Sequence, residues 1–443
     1  MAENIIVNVT ASLIPTTEVG FGVTLIPSTN AAWSGALVRS YASEAEMTTD
    51  YPVATMPERV RARAFFSQSR RAPFLKFCRV ATKPTTVYTL AAVAPIGKPS
   101  YVYQARVSGH GFTETLVTYT SDSTPTDAEY AAGMVAALNG VAGRNYTAAG
   151  SASPITLTGN TAGAHFTLEV LDVDTQTVTE TTADPGVAAD LTAAFIEDPD
   201  FYFVSPLSSS RAYLVACAGW VEANQRMMLA PVSDSAAFTA AVTVADDPAD
   251  RIKTNGYKRT GALLHRAPQA AAATAWVGDV SPDAPGRVNF AHKPLAGVPS
   301  YRPTGTHEAN AFAKNASIYT RNSEGRFVTL YGTAGDGSFL DETRETDWMI
   351  YTVQRKCAAL TTNLRKLPYD QGGLAQVEAA IEEAIGEAIT AGVVNPSFPR
   401  TIVMPALDAI SDAQRLSRHL PGVSITYTRG GSINRITINM AVL

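Results

Sequence analysis

Cysteine is scarce in this chain: 443 residues include only three, Cys78, Cys217 and Cys357. They are odd in number, far apart and set in apolar surroundings, so buried thiols in a reducing compartment are favoured over a disulfide framework or a zinc site. The six histidines, His110, His165, His265, His292, His307 and His419, never fall at the i, i+4 or short-loop spacings of a metal centre. No apolar run approaches the length of a membrane span, and the first residues lack the basic start and apolar core of a signal peptide. The expectation is folding in a cytoplasm, with no membrane insertion. A dominant charge of one sign is also missing. Lys plus Arg number 35 against 40 Asp plus Glu, a formal charge of −5 with no block of like charges, so no nucleic-acid partner is expected.

Signatures of catalysis are sparse too. The run Gly332-Thr-Ala-Gly335-Asp-Gly337-Ser carries neither the Lys-Ser/Thr of a phosphate loop nor the glycine spacing of a dinucleotide turn, and reads as a structural turn. No Gly-x-Ser-x-Gly elbow occurs. The densest acidic cluster, Asp336, Asp341, Glu342, Glu345 and Asp347, has the residue types to hold Mg²⁺ or to act as acid and base. The better reading places it at the N-terminus of the following helix, where the dipole favours negative charge and Asp347 is a candidate cap. No catalytic, cofactor-binding or metal-ligating residue is assigned, and no cofactor is expected.

What the chain does have is a strand pattern at each end. From Val423 an alternating run leads to Arg429-Gly430-Gly431-Ser432, and Ile436, Ile438, Met440 and Val442 then fall on alternate positions. That pattern predicts a hairpin, with the glycines supplying its turn. Near the start Ile5, Val7 and Val9 fall on alternate positions, with Asn8 and Thr10 following the two valines. Both ends therefore read as β-arms. The pattern alone favours pairing of the arms inside one subunit over their reaching a neighbour.

Between the ends the pattern is α/β. Ile14 to Ser34 reads as loop, Ala36 to Tyr41 as a strand, the segment around Glu58 as a helix and Phe74 to Val80 as a buried strand, together a β-α-β unit. From Thr85 to about Asp190 the chain is rich in Thr, Ala, Gly, Ser and Val, with four strand-like runs and one helix at Thr126 to Leu138. This is a β-rich module inserted into the α/β domain. Strands at 201, 227 and 261 alternate with helices at 211, 248 and 269, predicting a mostly parallel or mixed sheet covered on both faces, shared by the segments flanking the insertion.

Beyond Lys293 two long helices stand out. In Asp347 to Leu364 an apolar stripe opposes a polar side made basic by Arg344, Arg355, Lys356, Arg365 and Lys366. In Leu374 to Ala391 the stripe opposes an acidic side with Glu378, Glu382, Glu383 and Glu387. Gly392 ends the second helix. A short strand at Arg400 to Met404 and a third helix, Asp408 to Leu420, complete the reading.

Several landmarks together resemble the sheath protein of contractile bacteriophage tails, related to the sheaths of R-type bacteriocins and type VI secretion systems. They are Tyr41-Ala-Ser-Glu-Ala-Glu ahead of a helix with Phe65-Phe66, Asn255-Gly-Tyr-Lys-Arg-Thr-Gly before a strand, Lys293-x-Leu-x-Gly-Val, Asn315-Ala-Ser-Ile-Tyr, Gly337-Ser-Phe-Leu-Asp341 followed by Asp347-Trp348, and Gly431-Ser-Ile-x-Arg-Ile-x-Ile. The resemblance implies a multidomain mixed α/β fold: an N-terminal arm and linker (1–25) joining the C-terminal domain, a middle α/β domain (26–84 plus 195–299), the β-rich insertion (85–194), and a C-terminal core domain with a hairpin arm (300–443). It also implies a non-enzymatic subunit of six-membered rings stacked around an inner tube. Its terminal arms, carrying Ile5, Val7, Val9, Ile436, Ile438, Met440 and Val442, would join neighbours' sheets, which reverses the preference drawn from the pattern. Implied partners are further copies of the chain, a tail tube protein, and baseplate and tail terminator proteins, in a virion tail assembled in the host cytoplasm. The candidate tube-contact residues are Glu378, Glu382, Glu383 and Glu387 on the acidic helix, slightly preferred, and Arg355 and Lys356 on the basic one. The alternatives are another virion component such as a baseplate protein, or a cytoplasmic α/β enzyme with its site at Gly332 to Asp347.

Overall fold

The computed structural model describes residues 4–7 (backbone course only), 20–70, 72–93, 98–242 and 246–434. Val9, Ile436, Ile438, Met440 and Val442, and with them the second strand of the expected hairpin, lie outside the described residues. The chain begins with β1 (Asn4–Val7), β2 (Thr24–Ser28), β3 (Val38–Tyr41), α1 (Pro57–Phe66) and β4 (Leu75–Arg79). The β-rich stretch holds β5 (Val87–Ala92), β6 (Val102–Gly109), β7 (Phe112–Thr120), α2 (Asp127–Asn139), β8 (Tyr146–Ala149), β9 (Ile155–Gly159), β10 (Phe166–Val170) and β11 (Gln176–Glu180). Then come α3 (Val187–Glu197), β12 (Phe203–Val204), α4 (Arg211–Ala223), β13 (Met227–Val232), α5 (Ser235–Thr239), α6 (Pro248–Thr254), β14 (Thr260–Leu264), α7 (Ala272–Val280), α8 (Gly305–Ala313), β15 (Ser317–Arg321) and β16 (Phe327–Leu330). The last elements are α9 (Leu340–Asn363), α10 (Gln371–Thr390), β17 (Thr401–Val403), α11 (Asp412–Leu416) and β18 (Ser424–Thr428).

The chain divides into two compact units, one of Gly22–Pro282 with Phe290–Leu340, the other of Met1–Phe21, Asp283–Asn289 and Asp341–Leu443. In the larger unit an eight-stranded sheet runs in the order β16-β15-β14-β13-β12-β2-β4-β3. Its six inner strands are parallel and both edge strands antiparallel, so it is a mixed sheet built from segments before and after the insertion.

β2 corrects the reading of Ile14 to Ser34 as loop, because its five residues are all buried in the middle of the sheet. A strand covered on both faces has no polar alternation to betray it, and Pro27 reads as a breaker. The proline is tolerated because β12 pairs only with Thr24 and Leu25, leaving the position of the missing N–H without a ladder partner on that side. The β-α-β unit is corrected with it: β3 runs antiparallel to β4, and the parallel neighbour of β4 is β2.

The insertion forms two antiparallel sheets, β11-β5-β9-β8 and β10-β6-β7. Thr126 and Glu129 cap α2 reciprocally. Gly133 lets this helix lie on Tyr119, since a Cβ there would sit 2.1 Å from the ring. The module ends earlier than the expected residue 194. α3 belongs to the α/β layer: Asp190 accepts from the Ala81 N–H at 2.9 Å, and Glu197 accepts from the N–H groups of Leu37 and Val38 at 2.7 and 3.0 Å.

The C-terminal boundary also differs from the expected residue 300. β15 pairs in parallel with β14, so the segment through β16 completes the large sheet and the smaller unit resumes at Asp341. In that unit α9 and α10 pack Met349, Val353, Ile381, Ile385 and Ala388 with Ile425 and Tyr427 of β18. Asp370 caps α10 by accepting from the Gly373 N–H at 2.9 Å, and Gly392, at φ +82°, ends it. The third expected helix is only the five residues of α11, preceded by a 3₁₀ turn at Leu407–Ala409.

Candidate assembly surface

The smaller unit is organised on a three-stranded antiparallel sheet, β1-β18-β17, which brings the N-terminal strand beside one from the end of the chain. Ile5 stands opposite Tyr427 and Val7 opposite Ile425. In a single chain, therefore, the first arm lies against its own subunit's β18. β17 forms the other side of the sheet with a three-residue strand whose Val403 is half exposed. Phe398 and Leu416 are further large apolar side chains exposed in this unit.

α9 begins at Leu340, seven residues before the expected start, because Asp341, Glu342, Glu345 and Asp347 of the acidic cluster are helical themselves, while Asp336 stays in the preceding turn. Asp341 and Glu342 lie in its first turn, where the dipole suits them. Asp347 sits well inside the helix, which corrects its reading as a cap. Glu342 pairs with Arg429 at 3.0 Å, and Arg429 also donates to Thr346 Oγ1 at 2.9 Å, tying the turn after β18 to α9. Beside them Glu345 is buried with one carboxylate oxygen unpartnered. Burial first, then the neighbouring Asp341 and Glu342, push its carboxyl up to about 8 against the pull of Arg429. Tyr427, fully buried nearby, has its phenol pushed up to about 12, chiefly by burial.

Arg344 is completely buried in the same helix. Its guanidinium donates to the carbonyls of Phe21 at 3.0 Å and Asp283 at 2.8 Å, gathering the three chain segments of the smaller unit around one side chain. This corrects the reading of Arg344 as part of the helix's basic polar side: the main-chain carbonyls that hold it inside are distant in sequence, and no local pattern announces them.

Of the six charged residues singled out on the two helices, four meet one another. Arg355 donates to Glu387 at 2.7 Å, and Lys356 reaches both Glu383 and Glu387. These hydrogen bonds raise the Lys356 ammonium above its ordinary range. Glu378 and Glu382 remain on the exposed side of α10, with no ion pair among the described residues. The sequence presented a basic helix and an acidic helix as rivals, and their packed arrangement makes them complements, leaving two carboxylates facing outward.

The Gly332 to Gly337 segment is a turn: Gly332 and Gly337 have φ of +72° and +91°, and Asp336 accepts from the N–H and hydroxyl of Ser338. Among the described residues no group of three or more His, Cys, Asp or Glu is placed to hold a metal ion, and no helix is long and apolar enough to cross a membrane.

No family model and no curated protein matches the chain. Solved structures do. The sheath complex of PVC, an extracellular contractile injection system, in its contracted state aligns with a TM-score of 0.54 at 8% identity, covering 96% of this chain and 92% of that one. The contracted helical sheath of the anti-feeding prophage aligns with a TM-score of 0.53 at 11% identity, covering 98% and 95%. A sheath tail protein from Listeria innocua gives 0.48 at 11% identity, covering 88% and 89%. In the first two, the likeness runs through both units and the insertion. The chain has the fold of the sheath proteins of contractile injection systems.

Proposed function

We propose that the chain is a structural subunit of a contractile tail sheath. Copies polymerise as stacked six-membered rings around an inner tube, and the sleeve shortens to drive that tube through a cell envelope. The observation that carries this reading is the extent of the likeness, 96% and 98% of the chain against two contracted sheath subunits. In this reading the tube, baseplate and terminator proteins of a virion tail are its partners, assembly takes place in the host cytoplasm, and the insertion is a surface module.

The sheet of the smaller unit supports a link between copies. β1 supplies four residues to one edge of β18, and main-chain hydrogen bonds hold a strand with little regard to its side chains. The same strand from a neighbouring copy satisfies that edge equally well, and a head-to-tail exchange that does not close on itself makes a filament. Shortening then exchanges one set of contacts between bodies for another while the strands stay paired, with no nucleotide hydrolysis. The outward carboxylates Glu378 and Glu382 are the tube-facing groups in this scheme. A weak, salt-screened contact suits a sleeve that must release its tube.

Ile6 and Thr426 are directly opposed in the β1–β18 register, so cysteines at both positions test the exchange. Oxidation of assembled protein is expected to give ladders of covalently joined chains. Exclusive closure within single chains, in polymer as in monomer, contradicts arm exchange.

A further inference from the structure

Where the insertion joins the eight-stranded sheet, two small internal cavities lie side by side, sharing His165 and Leu207 in their walls. Each is at the size limit for a single water molecule. Their walls are largely apolar but carry several polar side chains, unlike a packing defect lined by aliphatic groups alone. The first is bordered by Arg61, Tyr88, Glu180 and His265, the second by Thr86, Thr182, Ser208 and Tyr213.

Two of these side chains carry a polar atom without a protein partner. Tyr213 is 2% exposed and Arg61 is 4% exposed, and neither the Tyr213 hydroxyl nor the Arg61 Nε–H is hydrogen-bonded. The surrounding groups are well satisfied. Glu180 accepts from Ser208 Oγ at 2.6 Å, from the Ser209 N–H at 2.8 Å, from Ser209 Oγ at 2.7 Å and from Tyr88 at 3.2 Å. Arg61 donates through its terminal nitrogen to the Leu207 carbonyl at 2.7 Å. Thr86 Oγ1 and His165 Nδ1 are 3.0 Å apart in the wall between the cavities. Arg61 and Glu180 thus border one cavity as buried opposite charges with no direct ion pair between them. Glu180 Oε1 has spare capacity, since Ser208 is its one hydrogen-bond donor among the described residues.

Buried hydroxyl and guanidinium groups are rarely left unpaired, and a water needs two to four polar partners, which both cavities offer. We propose that each cavity binds one ordered water molecule: one takes the Arg61 Nε–H and bridges it towards Glu180, the other pairs with the Tyr213 hydroxyl. The two waters make the junction between the β-rich insertion and the sheet a hydrated polar joint, spanning α1, β5, β11, α4 and the segment before α4. Strands β5 and β11 are antiparallel partners at the root of the module, so the waters sit where the chain enters and leaves it.

A structure of the full chain at a resolution that shows ordered water tests this directly. Density within hydrogen-bonding distance of Tyr213 Oη and of Arg61 Nε is expected, and dry cavities overturn the proposal. Tyr213→Phe gives a second test whose sign decides. If the hydroxyl is bonded to water, its removal lowers the melting temperature by about 2 °C, because the water loses a partner. If the hydroxyl is unpaired, deleting it relieves a buried polar group; an unchanged or higher melting temperature therefore also overturns the proposal.

Discussion

Arg355 of α9 holds Glu387 of α10 at 2.7 Å, and Lys356, one residue on, reaches the same carboxylate. The basic and acidic faces of the two helices are therefore engaged with each other. Reversing one charge, Glu387→Lys, removes both pairs and places three cations together. Since Arg355 is half exposed, the expected loss is modest, about 0.5–1 kcal/mol at low salt and less in concentrated salt. Urea unfolding at two ionic strengths measures it, and a loss that does not shrink with salt speaks against a Coulombic origin.

Glu378 and Glu382 behave differently, because neither pairs within the described structure. Changing both to Lys is expected to alter subunit stability by no more than about 0.5 kcal/mol. In the proposed function the same change leaves sheath-only polymers intact but reduces co-sedimentation with tube. Undiminished tube binding by this variant removes α10 as the contacting helix.

Glu345 gives the smaller unit a pH dependence of defined sign. Its folded carboxyl, raised to about 8, holds a proton more tightly than the ordinary carboxyl of the unfolded chain. The stability it contributes is full below the ordinary carboxylate range and is lost as pH rises through about 8. Glu345→Gln keeps a neutral side chain and should match the parent near pH 4, then exceed it increasingly towards pH 9. Asp341, Glu342, Arg344, Arg429 and Tyr427 face the same carboxyl and remain in the variant. Parallel melting-temperature profiles for the two proteins over this range contradict the assignment.

Gly386 lies inside α10, and a Cβ built there meets nothing within 4 Å. Glycine in a helix interior costs about 1 kcal/mol relative to alanine, and no packing among the described residues requires it. Gly386→Ala should therefore stabilise the isolated subunit by up to about 1 kcal/mol in a denaturant titration. Destabilisation reveals a close contact at this position.

The sequence was legible where periodicity is strong and caps are local. The apolar stripes of α9 and α10, the extent of α2 and the alternating strand before Arg429 all announce themselves within a few residues. β2 stayed hidden because Thr-Leu-Ile-Pro-Ser has neither alternation nor length, and only pairing with β4 and β12 makes it a strand. Domain edges were misplaced for a related reason: α3 and β15 look alike whichever body they join, and long-range partners such as Leu37 and Leu264 decide. The rival charged helices could be listed from sequence but not matched, since Arg355 and Glu387 are 32 positions apart and their pairing depends on the register of the two packed helices. Arg344 and Glu345 were read as members of charged groups, and their burial stayed hidden because it comes from distant main-chain and side-chain groups.

The central claim is that this chain builds a sleeve from copies of itself, and electron microscopy of the purified full-length protein across a concentration series tests it most directly. Tubular polymers of uniform diameter with six-fold end views are predicted, and removal of residues 1–7 should abolish them while the subunit stays folded. A protein that remains monomeric at every concentration, alone and with tube, contradicts the account.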